Sequence, residues 1–570
     1  MKCVLMISAP SHLEAMAQST QRFARLETYF LFPFALDKEA IQADHPQAWP
    51  RGIRWIDGLD QWMASEGKNP ELRVPKLLGH WKRATFTNFD ASSTAYSDLL
   101  FFNSIVRHVF FDTNIGRQPD EQENQLRCYT IDLDPSAVVW FEGTDAVGGS
   151  GRAQIVDLRL YLSAQGIGIL SIGVAATDID AATGLWLNRR LRKLYPVDGV
   201  SIRDGRTPNY TALRKESSAG SESISEERFA NPTMIGFYPP LTCTVQSLLY
   251  FADYGLEEYE PICDENMLVY SMAHLAGGQE ASTLEDVVDD FLHLHHKHLE
   301  PVRYTSAAYT ALFGFTGHSC SVLQLGSEVA WERLSGTSFD GSGTVKALES
   351  NPDLSRAFHN HYYMMMIIAL FYRAVLLDFN ERSALVSRRL LRDQQLRRLT
   401  PLSIDMVNDL RTEFLNFTSY GHFDDLSSKQ AGNDFFRRLC AEYRIDQMKE
   451  QLTSELKHMG EYVYNYYQLR NTDAVNRLAM LSLIFGGGAV LTGFFGMNFG
   501  REFTKVFFEG EDGGYFIHWF MIIVVCSFVF SSLLLGTFVV LRNWRDYLTI
   551  LNPPKTPPTS TSLKRETPKG

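Results

Sequence analysis

Two uncharged runs near the C-terminus constrain this chain more than any other feature of its sequence. No Asp, Glu, Lys or Arg occurs between Leu478 and Gly500, or between Tyr515 and Leu541, where His518 lies near one end. As a helix, the 23 residues of the first run reach about 34 Å, enough for a hydrocarbon core of about 30 Å. Both runs are expected to cross a membrane. Two helices from one chain cannot enclose a polar path through a bilayer. Either they are an anchor, or several copies assemble about a symmetry axis.

Charge sets the expected orientation. Arg470 and Arg477 precede the first run, and Arg542, Arg545, Lys555, Lys564, Arg565 and Lys569 follow the second. The linker at 501–514 carries Arg501 and Lys505 against Glu502, Glu509, Glu511 and Asp512. Cytosolic segments carry the excess of Lys and Arg, so both termini are expected in the cytosol and the linker outside. The N-terminus has only a short apolar run and does not read as a signal peptide. Seven scattered cysteines with no zinc-site or CxxC spacing fit a reducing compartment. The sequons at Asn209 and Asn416 would then go unused.

The 570 residues are enough for two or three structural units. A net charge of −12 argues against nucleic-acid binding, which needs a basic stripe, and favours gathering cations at the surface. Residues 1–345 read as mixed α/β. The clearest element is a hairpin over Ala153 to Ala176, turning at Ala164-Gln165-Gly166. Further strands are expected at Cys128 to Leu133 and Ala137 to Gly143. The polar Lys215 to Glu227 reads as a loop, and Ser335 to Thr344 as a loop and boundary.

From about 353 the pattern turns to long helices. The apolar core of the first, "MMMIIALFYRAVLL", is interrupted by Arg373 and is shorter than a span, so it is expected to be a buried bundle helix. A second long helix is expected to begin near Asp434 and to run straight into the first apolar run.

That run is unusual for a membrane helix. Leu478, Ser482, Gly486, Ala489, Gly493 and Gly496 recur at steps of four, four, three, four and three, which places them on one helical face. In a ring of identical helices this face would line a narrow, wettable pore. The same spacing also lets two helices pack closely, as GxxxG motifs do. The ending on Gly496-Met497-Asn498 favours the ring, because Asn498 would then supply a circle of amide oxygens at the outer mouth. Mg²⁺ dehydrates reluctantly, so neutral oxygens that hydrogen-bond its water shell can select it without stripping it.

These residues resemble the CorA family of magnesium channels. "TGFFGMNFG" at Thr492 to Gly500 looks like the family's signature, followed by a short outside loop, one more span and a basic tail. The specific likeness covers roughly residues 470–545; before 350 it is architectural only. The resemblance implies a homopentamer whose α+β cytosolic domain, with α/β/α layers, leads through a helical stalk into the pore. The implied division is 1–345 cytosolic domain, 346–475 funnel and stalk, 476–500 pore helix, 501–514 outside loop, 515–541 second span and 542–570 proline-rich tail. It implies a selectivity filter at Gly496, Met497 and Asn498, with Leu478, Ser482, Gly486, Ala489 and Gly493 lining the pore. The bulky residue and proline usual in the family are replaced here by Gly486-Gly487, which leaves Leu478 and Val475 as candidates for a hydrophobic gate. Asn471 or Thr472 stands nearest the family's inner-mouth Asn.

The resemblance implies no resident cofactor, with Mg²⁺ as cargo and also as a closing ligand held by acidic cytosolic residues. Asp446, Glu450, Glu455 and Glu461 on the stalk are candidates, although a solvated face also explains them. "HLHHKH" at His293 to His298 could bind Zn²⁺ or Ni²⁺, or be an ordinary exposed helix. No phosphate loop, G-x-S-x-G, HExxH or dinucleotide fingerprint occurs, so an enzyme is not expected. Three functions follow: a passive Mg²⁺ channel in a plasma or inner membrane, a Zn²⁺ transporter of the ZntB type, or a membrane-anchored oligomeric sensor or scaffold.

Overall fold

A computed structural model describes residues 22–44, 53–66, 81–84, 100–111, 126–131, 137–144, 150–192, 210–217, 220–228, 259–262, 266–275, 284–293, 302–306, 311–325, 352–395 and 399–496, with isolated positions elsewhere. The chain divides into two compact units, Met1–Arg389 with Asn408–Leu456, and Leu390–Val407 with Lys457–Gly570.

The first unit is built on one large sheet. Its strands are β1 (Arg22–Leu36), β2 (Lys82–Ala84), β3 (Leu126–Thr130), β4 (Ala137–Thr144), β5 (Ser150–Ser163), β6 (Ile167–Asp180), β7 (Tyr210–Ser217) and β8 (Gly220–Arg228). β9 (Tyr259–Pro261), β10 (Leu268–Leu275), β11 (Val302–Ser306), β12 (Ala311–Thr316) and β13 (Ser319–Gln324) complete it among the described residues. The main order is β11-β12-β13-β10-β1-β6-β5-β4-β7-β8. Pairing is antiparallel except between β10 and β13.

Helices follow the strands in chain order: α1 (Lys38–Asp44), α2 (Trp55–Glu66), α3 (Ser104–Phe110), α4 (Ala181–Leu191) and α5 (Leu284–His293). The C-terminal part is helical, with α6 (Pro352–His359), α7 (His361–Gln395), α8 (Pro401–Asn416), a π-helical turn (Phe417–Gly421), α9 (Gln430–Glu442) and α10 (Ile445–Gly496).

β1 organises this unit because it lies between β6 and β10. Its side chains alternate between faces, as a period of two requires. Phe30, Phe32 and Phe34 join Ile41 of α1, Ile56 and Leu59 of α2, and Leu187 and Leu191 of α4 in one buried cluster. From the opposite face Tyr29 packs on Tyr363, with ring centroids 4.7 Å apart. Tyr270 of β10 stacks on Phe358 at 4.2 Å, and Tyr363 donates to the Ser171 hydroxyl at 2.7 Å. Helices therefore cover both faces, giving the α/β/α layering expected. Pro33 lacks an N–H to give to a ladder, yet it sits inside this central strand. It falls where pairing passes from β10, which ends opposite Leu31, to β9, which begins opposite Phe34.

The hairpin of β5 and β6 turns at 164–166, with Gly166 at φ +88°, a left-handed conformation that suits glycine. The strands expected near Cys128 and Ala137 are β3 and β4. The loop expected over Lys215 to Glu227 is instead most of the hairpin β7–β8, with Gly220 at φ +133°. β8 ends the sheet order, so its Ser- and Glu-rich sequence reflects an edge strand rather than a connection. The boundary expected at Ser335 to Thr344 lies outside the described residues.

Among the described residues, one stretch, Asp353–Gln395, is long and apolar enough to cross a membrane. Its apolar core is buried in protein: Met365 to Tyr372 are all fully covered. Arg373 explains the interruption of the run. It donates to the Gly317 carbonyl at 2.5 Å and lies over the Tyr443 ring at 5.0 Å. In the second unit, Thr400 and Pro401 begin α8. The Asp393 carboxylate accepts hydrogen bonds from the Thr400 N–H and hydroxyl, both at 2.9 Å, and from the Ser403 hydroxyl at 2.8 Å.

Two predictions follow from this core. Ile368→Ala should cost about 2–5 kcal/mol in denaturant unfolding, the usual penalty for a cavity at a fully buried aliphatic side chain. Burial against Phe101, with Lys429 and Arg356 nearby, pulls the His361 imidazole down to about 4. Its folded value lies below its unfolded one. The stability it contributes is therefore complete above about pH 6.5 and is lost as pH falls toward 4. Melting temperature recorded across that window should drop more steeply in the parent than in His361→Phe.

Candidate functional site

α10 is the element that carries the candidate pore, and its start is well defined. α9 ends at Glu442, and Arg444 takes a left-handed conformation, φ +54°, that a continuous helix cannot accommodate. The second long helix therefore begins at Ile445, not near Asp434. The break frees Ile445 to bury completely, and Leu452 and Leu456 follow it on the same stripe. Met459 and Val463 continue the buried stripe in the second unit.

From Tyr464 onward the large apolar side chains turn outward. Leu469, Leu478 and Phe485 are each about two-thirds exposed or more within the single chain. Exposed apolar surface of this extent along one helix marks contact with lipid or with other protein. Among the described positions of the second run, the apolar ones, Ile523, Phe530, Leu534 and Phe538, are helical and exposed as well.

The structure places Leu478, Ser482, Gly486, Ala489 and Gly493 on this helix, all exposed. At 100° per residue they occupy an arc of about 80°. Among the described residues, nothing stands within 4 Å of where a Cβ would lie at Gly486, Gly487, Gly488 or Gly493. Crowding inside the described chain therefore does not account for these glycines. Each costs a helix about 1 kcal/mol relative to alanine. The Thr492 hydroxyl is satisfied inside the apolar run by the Gly488 carbonyl at 2.9 Å. Val475, Asn471 and Thr472 are exposed on the turns before the run. Gly496 is the last residue of α10, while Met497 and Asn498 lie outside the described residues.

The acidic candidates of the stalk sit in different surroundings. Glu455 accepts from the Ser383 hydroxyl at 3.1 Å and from the Gln451 amide at 2.9 Å. Glu461 lies 3.6 Å from the His458 imidazole and 4.0 Å from Lys457, and Glu450 is exposed. Those three form no common site. His293 ends α5, and the rest of the His293–His298 cluster lies outside the described residues.

Asp446 does join a cluster, one that sequence reasoning missed. Ligating atoms of His422, Asp424 and Asp446 all lie within 4.8 Å of one another. The "HFDD" at His422 to Asp425 was the only local signal, and Asp446 is brought to it by the α9–α10 turn. The His422 ring stacks on Tyr372 at 4.6 Å, and burial pulls its pKa down to about 4, with the Lys449 ammonium adding to the effect. The ring is neutral at physiological pH.

Residues 359–536 match the model of a family described as CorA-like Mg²⁺ transporter protein. This stretch of the chain is similar to the CorA family. The match covers about a third of its length, from the end of α6 through α10 and into the second apolar run. Neither the curated proteins nor the solved structures gave a match. The family's description points to Mg²⁺ transport.

Arg444 supplies a direct check on the geometry at the head of α10. Arg444→Gly should leave thermal stability unchanged or raise it by up to about 1 kcal/mol, whereas Arg444→Val should lower it, because a β-branched residue resists the left-handed region. Equal losses in both variants would contradict the φ assigned here.

Proposed function

We propose that this chain is one subunit of a homopentameric channel that admits Mg²⁺, and with it Co²⁺ or Ni²⁺, passively into the cytosol. The observation that carries the reading is the CorA-like match at 359–536, which spans a glycine-bearing helix ending at Gly496, where the sequence reads Gly-Met-Asn. In this reading the exposed stripe of Leu478, Ser482, Gly486, Ala489 and Gly493 faces the axis. The unhindered glycines then leave backbone and water where side chains would block a hydrated ion. The Asn498 amides, one per subunit, hydrogen-bond the ion's water shell at the outer mouth. Leu478 with Val475 narrows the inner end, where Asn471 or Thr472 meets the leaving ion.

No nucleotide is required. An inside-negative potential drives each elementary charge by about 2.3 kcal/mol per 100 mV, and a divalent ion by about twice that. The protein then crosses the membrane twice, at 476–500 and 515–541, with both termini in the cytosol and the acidic linker at 501–514 gathering cations outside. Mg²⁺ bound at acidic cytosolic residues serves as the closing signal. A Zn²⁺ transporter of the ZntB type would use the same architecture; the Gly-Met-Asn triplet favours Mg²⁺.

Purified protein in liposomes, with an internal Mg²⁺ dye and an imposed inside-negative potential, tests this. Wild type should admit Mg²⁺. Asn498→Ala should lose most of that influx at unchanged oligomer mass, and Gly486→Leu, which fills the axis, should lose it too. A conducting Asn498→Ala would remove the filter from this position. Zn²⁺ influx without Mg²⁺ influx would establish the second reading. A correctly assembled oligomer that passes neither ion would leave an anchored sensor or scaffold.

A further inference from the structure

The cluster at the head of α10 is separate from the pore and is built from one chain. Its three ligating residues come from two segments. His422 and Asp424 follow the π-helical turn Phe417–Gly421, a rare geometry often found at functional positions. Asp446 lies in the first turn of α10. The carboxylates are open to solvent, with side-chain exposures of 82% for Asp424 and 70% for Asp446, whereas the His422 side chain is only 6% exposed.

His422 is the informative member. Its Nδ1 faces the Asp424 carboxylate at 3.7 Å, beyond hydrogen-bond range, and is the nitrogen turned toward the cluster; Nε2, on the other side of the ring, is buried without a hydrogen-bond partner. The ring is nevertheless held firmly. It stacks on Tyr372 and meets the edge of Phe417 at 6.0 Å, while Tyr372 in turn accepts the Phe423 N–H at 2.9 Å. A neutral imidazole buried among aromatic rings and turned toward two solvent-facing carboxylates has the chemistry of a ligand awaiting a cation.

We propose that His422, Asp424 and Asp446 form an intrachain binding site for a borderline transition-metal cation of the Zn²⁺ class. The donor set decides the class. One imidazole nitrogen and two carboxylates, with water completing a tetrahedron, is a normal open zinc site. Mg²⁺ prefers six oxygens in near-ideal octahedral geometry, and Ca²⁺ prefers six to eight, so the imidazole counts against both. Ligands about 2.0–2.1 Å from zinc stand about 3.3 Å apart. The separations within 4.8 Å need only modest closure, which the exposed carboxylates can supply by rotating about χ1.

Lys449 sets the affinity. Its ammonium lies 3.6 Å from Asp424 and 3.8 Å from Asp446, so it already offsets the carboxylate charge and competes with an incoming cation. Weakly bound Mg²⁺ loses that competition, while a cation that also gains the imidazole does not. Once bound, the metal ties the segment after the π-helical turn to the first turn of α10. This inference does not depend on the transport reading, because it concerns a cluster wholly within the first unit.

The test is Zn²⁺ binding to the full-length oligomer in detergent, stripped with a chelator. Affinity and stoichiometry are measured by competition with a chromophoric chelator, and Co²⁺ absorption serves as a spectroscopic reporter of imidazole ligation. Other histidines bind metal too, so the readout is the difference between variants. Asp424→Asn, at an exposed position that does not threaten folding, should remove one Zn²⁺ per chain or weaken that site about tenfold or more. His422→Ala should do the same and should erase the corresponding Co²⁺ band. Lys449→Met should tighten the site several-fold. A large excess of Mg²⁺ should leave the bound Zn²⁺ in place. Wild-type stoichiometry and affinity in both Asp424→Asn and His422→Ala would overturn the proposal, as would displacement of the Zn²⁺ by Mg²⁺.

Discussion

α10 has to satisfy two environments along one continuous backbone. At its head it is a core helix: Ile445, Leu452 and Leu456 are buried, and the left-handed Arg444 sets the angle at which they enter the protein. Past Val463 the same helix turns its large apolar side chains outward, and past Leu478 it carries no charge. A helix can make this change because its backbone hydrogen bonds are internal and need neither water nor neighbours. The side chains alone report the change of surroundings. The glycines at 486–488 and 493 are the exception to good helix formers, and no described neighbour explains them. Their cost of about 1 kcal/mol each argues for a reason outside the described part of the chain.

The CorA-like stretch is not appended to an independent soluble domain. It begins at 359, the last residue of α6, and the first part of α7 is also the core of the α/β unit. Tyr363 hydrogen-bonds Ser171 of β6, Tyr161 of β5 donates to the Met364 sulfur at 3.7 Å, and Arg373 caps the β12–β13 turn. The sheet and the first long helix of the CorA-like stretch therefore share one core. The Tyr29–His359–Glu27 chain, with separations of 2.8 and 3.2 Å, ties the central strand to the end of α6 in the same way.

Where one interaction dominates locally, the sequence was enough. The β5–β6 hairpin was legible because β-rich runs flank a turn that needs Gly166. The buried identity of "MMMIIALFYRAVLL" was legible because Arg373 has no place in lipid. The β7–β8 hairpin was not, since an edge strand of Ser and Glu has no buried face to impose a pattern. The α9–α10 break was missed because neither Gly nor Pro marks it; the arginine at 444 accepts a conformation that sequence rules assign to glycine. The His422 cluster was invisible for a different reason: its third ligand, Asp446, is contributed by tertiary structure and not by spacing. The small-residue stripe was readable from periodicity, and the structure adds that the described chain leaves it uncovered.

The central claim is that this stripe faces water on the axis of an oligomer. Cysteine accessibility tests it most directly, in a background with the seven native cysteines replaced. Gly486→Cys and Gly493→Cys, on the stripe, should react with a water-soluble thiol reagent and close the Mg²⁺ influx. Met480→Cys, on the opposite side of the same helix, should leave influx unchanged. Inert cysteines at 486 and 493 in an oligomer that still conducts would contradict the account.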